Sequence, residues 1–224
     1  MKKQKLLDIE IANIYKECLQ DLIKYAHHFN DYSLVLVNDI KIGSVKIQDL
    51  LELNKMLNID KIESFLEIGS FVGVSFRILT KMIQPKIAFS IDPNIPHRTI
   101  NQTRKYFYAL NSNLQEDMKI ICHDGFWGES ITPETFGRKF DCIFIDADHE
   151  YRSVQKDFLL ASEVLEDNGI IILHDVKTWQ GVKRFCEDID RHYHWSIVRT
   201  PFDSVHDGFA IIFRTSEVSL PFGS

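Results

Sequence analysis

The sequence predicts an α/β fold: a doubly wound, seven-stranded, mostly parallel sheet with an antiparallel last strand and an N-terminal helical extension. Three observations carry this. From residue 64 onward, short apolar runs alternate with amphipathic ones, the rhythm of a parallel sheet covered on both faces. The run FLEIGSFVG at 65–73 takes an apolar strand into a glycine-bearing turn and then a helix. The last two strand-like runs, 195–199 and 208–214, lie too close for a parallel crossover, so they should form an antiparallel hairpin.

The elements follow in order. Residues 1–60 form the extension and 61–224 the ligand-binding domain. In the extension Leu7, Ile11, Ile14, Cys18, Leu22, Tyr25 and Phe29 recur at steps of three and four, one face of a long helix. A second helix is expected over 46–57, where Ile47, Leu50, Leu51, Leu53 and Leu57 are apolar. These helices can pack on the sheet, cover a substrate or pair two copies of the chain. Strands are expected at 64–68, 86–91, 118–122, 140–145, 169–173, 195–199 and 208–214. Helices fall at 74–84, stopped by Pro85, at 153–165 and at 181–193.

Composition bounds the class. The 224 residues suit one domain of ordinary core size with an extension. A net charge of −6 and a pI near 5.8 argue against nucleic acid as a partner. No run of 18 apolar residues exists, so no membrane helix is expected. The basic start is followed at once by Asp8 and Glu10, which leaves no signal-peptide core and points to the cytoplasm. Cys18, Cys122, Cys142 and Cys186 form no C-x-x-C pair and read as reduced structural thiols, two of them in buried strands.

The chemistry lies at strand ends. Glu67 ends the first strand, and Asp92 ends the next, 25 residues later. An acid there can accept from a ribose diol. The turn reads G-x-x-x-G, with Gly69, Ser70, Phe71 and Gly73, and not the G-x-G-x-x-G that seats a pyrophosphate. Glu67 would repel a phosphate and suits a cationic ligand such as a sulfonium amino acid. Downstream come IDADHEY at 145–151, NGIIILHDV at 168–176 and GVKRF at 181–185. In an open α/β sheet, ligands bind outside the carboxyl ends of strands, which gathers Asp146, His149, His174 and Asp175 beside Glu67 and Asp92.

Taken together, these motifs resemble class I S-adenosylmethionine-dependent methyltransferases, in a bacterial branch related to small-molecule and sugar O-methyltransferases. The resemblance covers about 64–214. It implies that S-adenosylmethionine is the cofactor and that the methyl acceptor is a hydroxyl of a small molecule or glycan. It implies that Glu67, Gly69, Ser70 and Gly73 line the methionine end and that Asp92 takes the ribose. Asp124, Gly125 and Phe126 fall where similar enzymes hold adenine, and Asp146 belongs to the same cleft. In catechol O-methyltransferase-like relatives the fourth and fifth strands end on magnesium ligands. Here Asp146 and Asp175 keep the carboxylates, and His174 stands where an acid or amide is usual. Magnesium or manganese is therefore one expectation. Without metal, His149 or His174 would be the base, because histidine titrates near neutral pH. Acceptor contacts are expected from the extension and from loops 93–98, with Pro93, Pro96 and His97, 124–133 and 200–207, and from Trp127 and Trp179. A homodimer is a further expectation. A nicotinamide-dependent oxidoreductase and a non-catalytic nucleotide-binding module on the same fold are the competing readings.

Overall fold

The computed structural model describes residues 2–29, 45–93, 103–116, 118–192 and 194–215. Seven strands form one sheet: β1 (Ser64–Ile68), β2 (Ile87–Asp92), β3 (Lys119–Asp124), β4 (Phe140–Ile145), β5 (Leu165–His174), β6 (Trp195–Arg199) and β7 (Phe209–Arg214). Their spatial order is β3-β2-β1-β4-β5-β7-β6. Only β7 runs backwards among them, antiparallel to both β5 and β6. The expected terminal hairpin is thus present, and its second strand slots between its first and β5.

The order reverses beside β1. From it the chain moves outward to β2 and β3, then returns to lay β4 on the other side. The strands that meet there end nearly level: Ile68 pairs with Ile91 on β2 and with Ile145 on β4. Just past these pairs the backbone must part, and the parting opens a crevice at the carboxyl edge.

Among the described residues six α-helices flank the sheet: α1 (Asp8–His28), α2 (Ile47–Met56), α3 (Val74–Ile83), α4 (Thr103–Asn111), α5 (Tyr151–Glu163) and α6 (Gln180–Ile189). Alternate residues of each strand feed two cores. Phe65, Phe144 and Phe209 join Phe76 and Phe107 with Ile11, Cys18, Leu22, Leu50 and Leu53 of the extension. Leu66, Ile143 and Ile171 join Phe158, Phe185 and Cys186 of α5 and α6 on the opposite face. The apolar stripe of α1 is therefore spent on the same core as the sheet, while Leu7 and Ile9 stay exposed.

Several details differ from the sequence reading, among them the helix expected over 181–193, which is α6 and ends at Ile189. Asp167, Asn168 and Gly169 look like a turn, but they lie inside β5, whose pairing jumps from Phe140–Leu165 to Cys142–Ile170. A bulge absorbs the turn-forming residues, so the strand begins before them. The helix expected over 153–165 is α5, shifted two residues towards the N-terminus. Cys122 is half-buried, because β3 is an edge strand; Cys142 is buried as expected. The sequence reading also missed α4, a short helix with a polar first turn.

One side chain staples the central strands. A carboxylate oxygen of Asp141 accepts from the Glu63 and Ser64 N–H groups, both at 2.9 Å, and from the Ser64 hydroxyl at 2.8 Å. Asp141→Ala should cost about 1–3 kcal/mol of stability, the range for stranding part-buried donors. Urea unfolding measures this, and an unchanged midpoint would show the staple to be idle.

Candidate active site

The glycine-bearing turn is held by its surroundings. Gly69 (φ 88°), Phe71 (φ 47°) and Gly73 (φ 86°) all have left-handed backbone. A Cβ on Gly69 would run into the backbone of Asp146, so the turn can sit against the end of β4 only as glycine. The bulky Phe71 is held in this region by the carboxylate of Asp92, which accepts from its N–H at 2.8 Å. Asp92 thus closes the turn from the next strand. Ser70 bonds the Ser90 hydroxyl at 2.5 Å, tying the turn to β2.

Glu67 lies beneath this turn with no exposed surface, and neither carboxylate oxygen has a hydrogen-bond partner. Burial pushes its carboxyl up to about 8, against the pull of the nearby Ser75 and Ser70 hydroxyls, and the charge of Asp146 adds to the rise. The turn is therefore floored by a buried acid that makes no aligned hydrogen bond. A positive group arriving from the crevice would ionise it.

The end of β3 is organised by a residue the sequence reading missed. Arg104, on α4 and only 2% exposed, donates to Asp124 at 2.7 Å, to the Ser90 hydroxyl at 2.7 Å and to the His123 carbonyl at 2.9 Å. Asp124 is therefore anchored through one oxygen. Gly125 donates to the Asp92 carbonyl at 3.0 Å, and the Phe126 ring is exposed. No sequence pattern marks Arg104, because its partners lie on two separate strands.

At the other side of the crevice the acids and histidines do converge. His149 Nε2 lies 2.6 Å from Asp175, without the alignment of a full hydrogen bond. One ligand atom each from Asp146, His149 and Asp175 falls within a 4.8 Å cluster. Asp175 holds a left-handed φ of 64°, a region that aspartate tolerates better than most residues. Burial pulls the His149 pKa down, but Asp175 and then Asp146 outweigh it and leave it raised. Trp179, 50% exposed, stacks on His149 with ring centroids 4.6 Å apart. Trp127, by contrast, is in the core.

His174 is buried between carboxylates. Its Nδ1 is 3.2 Å from Asp146 and 3.5 Å from Asp175, and its Nε2 is 3.7 Å from Asp49. Burial again opposes the charge, and Asp146 foremost overcomes it, raising the pKa well above the usual value. Asp49, on α2, escaped the sequence reading because it looks like an ordinary first-turn helix acid. Of the loops expected to meet an acceptor, 93–98 lies beyond Pro93 outside the described residues.

Known proteins share this fold. Residues 66–176 match the family model of a methyltransferase domain. An O-methyltransferase of Bacillus cereus, solved with S-adenosylhomocysteine, shares the fold at a TM-score of 0.59 and 18% identity, over 89% of this chain and 91% of that one. The O-methyltransferase TomG of Streptomyces achromogenes, involved in tomaymycin synthesis and solved with S-adenosylmethionine, does so at 0.58 and 18%, over 89% and 90%. An uncharacterised protein of Acanthamoeba polyphaga mimivirus is 28% identical over 127 residues, 52% of this chain and 53% of that protein. The chain thus spans about half the length of the curated relative it matches. Residues 66–176 thus carry a methyltransferase domain on the fold of these solved enzymes, and the motifs at 65–73 and 145–151 lie within or across the matched region.

Glu67 makes a pH prediction. Its pKa in the folded protein is about 8 against an ordinary 4.5, so the fold favours the protonated acid. The associated stability is fully present below the ordinary value and is lost as pH rises towards the folded one. Between these pH values Glu67→Gln should lose less thermal stability than the ligand-free wild type. Parallel pH curves for the two proteins would remove Glu67 as a buried titrating group.

Proposed function

We propose that this chain is an S-adenosylmethionine-dependent O-methyltransferase acting on a hydroxyl of a small molecule or glycan. The observation that carries it is the pairing of an unpartnered buried Glu67 at the turn with the Asp146–His149–Asp175 cluster across the crevice. The first suits a cation and the second a hydroxyl to be activated. S-adenosylmethionine supplies an already activated methyl group, so the protein's task is to align, orient and exclude water.

Each residue then takes a role. Glu67 pairs with the positive methionine end of the cofactor. Gly69, Ser70 and Gly73 let bare backbone approach it. Asp92, which accepts from the Phe71 N–H, takes the ribose hydroxyls. Asp124, anchored by Arg104, offers its other oxygen to the adenine amine, beside the Phe126 ring. Asp146 and Asp175 would hold a divalent ion, and the His149 nitrogen tilts that donor set towards manganese over magnesium. Such an ion lowers the pKa of an acceptor hydroxyl. Trp179 offers an exposed indole face beside this cluster to a sugar or phenyl ring. The cytoplasm is the proposed location, and among the described residues no helix is long and apolar enough to cross a membrane.

The turn spacing and the family match both weigh against the nicotinamide alternative, and the pairing of Glu67 with a second cluster weighs against a module that only binds.

Calorimetry should give micromolar binding of S-adenosylhomocysteine and none of NAD. Methyl transfer is then assayed with a panel of catechols, phenols and sugars before and after exhaustive EDTA treatment. Loss of turnover that manganese or magnesium restores would support the two aspartates as ligands. Turnover that survives EDTA would assign the hydroxyl proton to His149. In that case kcat should rise with pH to values above the ordinary histidine range, because the base must first shed the proton that Asp175 helps it keep.

A further inference from the structure

Behind the candidate active site lies a second convergence of donors. Asp49 on α2, His174 at the end of β5 and Asp207 just before β7 each place a ligand atom within one 4.8 Å cluster. All three are buried: Asp49 is 0% exposed, His174 4% and Asp207 7%. They come from three distant stretches of chain, so no helix or loop periodicity explains their meeting.

The decisive observation is the ring of His174. It is almost wholly buried, yet neither nitrogen makes a hydrogen bond. Nε2 faces Asp49 at 3.7 Å, too far for a hydrogen bond. Bonds of about 2.0–2.1 Å at tetrahedral angles put neighbouring donor atoms roughly 3.4 Å apart, so this spacing is near that of two ligands of one ion. On the ring's other side, Nδ1 lies 3.2 Å from Asp146. A metal-bound imidazole commonly turns its second N–H to a carboxylate, which fixes its tautomer.

The carboxylates are braced in the same way. Asp49 accepts from the backbone N–H groups of His206 at 2.7 Å and Asp207 at 3.0 Å, leaving lone pairs on both oxygens. Asp207 accepts from the Thr178 hydroxyl at 2.6 Å, and the same oxygen faces the His206 ring at 2.8 Å. These contacts orient the acids without neutralising them. Two buried acids facing an imidazole that makes no aligned hydrogen bond are costly unless a cation, a metal ion or the imidazolium itself, lies between them.

We propose that Asp49, His174 and Asp207 form a structural site for a first-row transition-metal dication, separate from the Asp146–His149–Asp175 cluster. The single imidazole among carboxylates selects zinc or manganese over magnesium or calcium. Burial of all three ligands makes the ion a clamp joining α2, β5 and the entry to β7, and not a reagent. The site stands whether or not the chain transfers methyl groups.

The test uses metal-stripped protein carrying His149→Ala and Asp175→Asn, which dismantles the neighbouring cluster. This protein should bind one zinc ion in calorimetry. Its thermal midpoint should rise by roughly 5–10 °C at a hundredfold excess of zinc over Kd. Adding Asp49→Asn should abolish both effects. Should that third substitution prevent folding, anomalous diffraction at the zinc edge from the two-substitution protein decides the matter. An ion between Asp49, His174 and Asp207 upholds the site. No zinc binding, binding that persists without Asp49, or an ion located only elsewhere overturns it. The S-adenosylhomocysteine titration is a separate readout, so failure of the methyltransferase reading would not be mistaken for failure of this one.

Discussion

Ionisable groups buried with incomplete hydrogen bonding govern this molecule. Around the carboxyl edge of the sheet the chain places Glu67 and, at some distance, Asp49, Asp146, Asp175 and Asp207 with His149 and His174. Removing such groups from water is expensive, and the fold offsets it only in part. Asp49 has two backbone N–H groups, and Asp207 has a threonine hydroxyl. Glu67 has no hydrogen bond at all, and the rings of His149 and His174 lack properly aligned ones. A structure this careful elsewhere, down to Asp141 satisfying three donors at the foot of β1, has left these groups open where ligands would come.

The packing explains how such a cost is tolerated. Two apolar cores press on the sheet from opposite faces, and the extension contributes Ile11, Leu22 and Leu53 to one of them. Apolar burial on that scale can support several unsatisfied polar groups. The turn at Gly69 shows the same economy on a small scale. Three consecutive-to-near residues adopt left-handed backbone, and the glycine that abuts Asp146 leaves space for nothing larger.

Much of this was legible in the sequence. The acids at strand ends, the G-x-x-x-G turn and the close final pair of strands led to the sheet, its reversed strand and the family. These signals are local: each occupies a few consecutive residues. What escaped reading depends on distance along the chain. Arg104 becomes meaningful only when β2 and β3 pair and present Ser90, His123 and Asp124 together. Asp49 sits on a helix whose apolar pattern says only that one face is buried. Its value comes from residues more than a hundred positions away. The bulge in β5 was hidden for the opposite reason: Asp167, Asn168 and Gly169 have turn chemistry, and the strand holds them as an unpaired bulge between Leu165 and Ile170.

The insertion of β7 between β5 and β6 has a consequence for synthesis. A parallel sheet can begin to assemble as its strands emerge, but this one is not closed until its final strand enters the gap beside β5. His174 packs on Phe209 of that strand, and Asp49 bonds the two residues that lead into it. A nascent chain that has emerged only as far as β6 therefore lacks Asp207 and the Phe209 ring that packs on His174. The apolar edge of β5 is then open to other strands, the state in which proteins of this class are exposed to aggregation. Late closure makes the last strand both the seal of the sheet and the step that a chaperone would most need to guard.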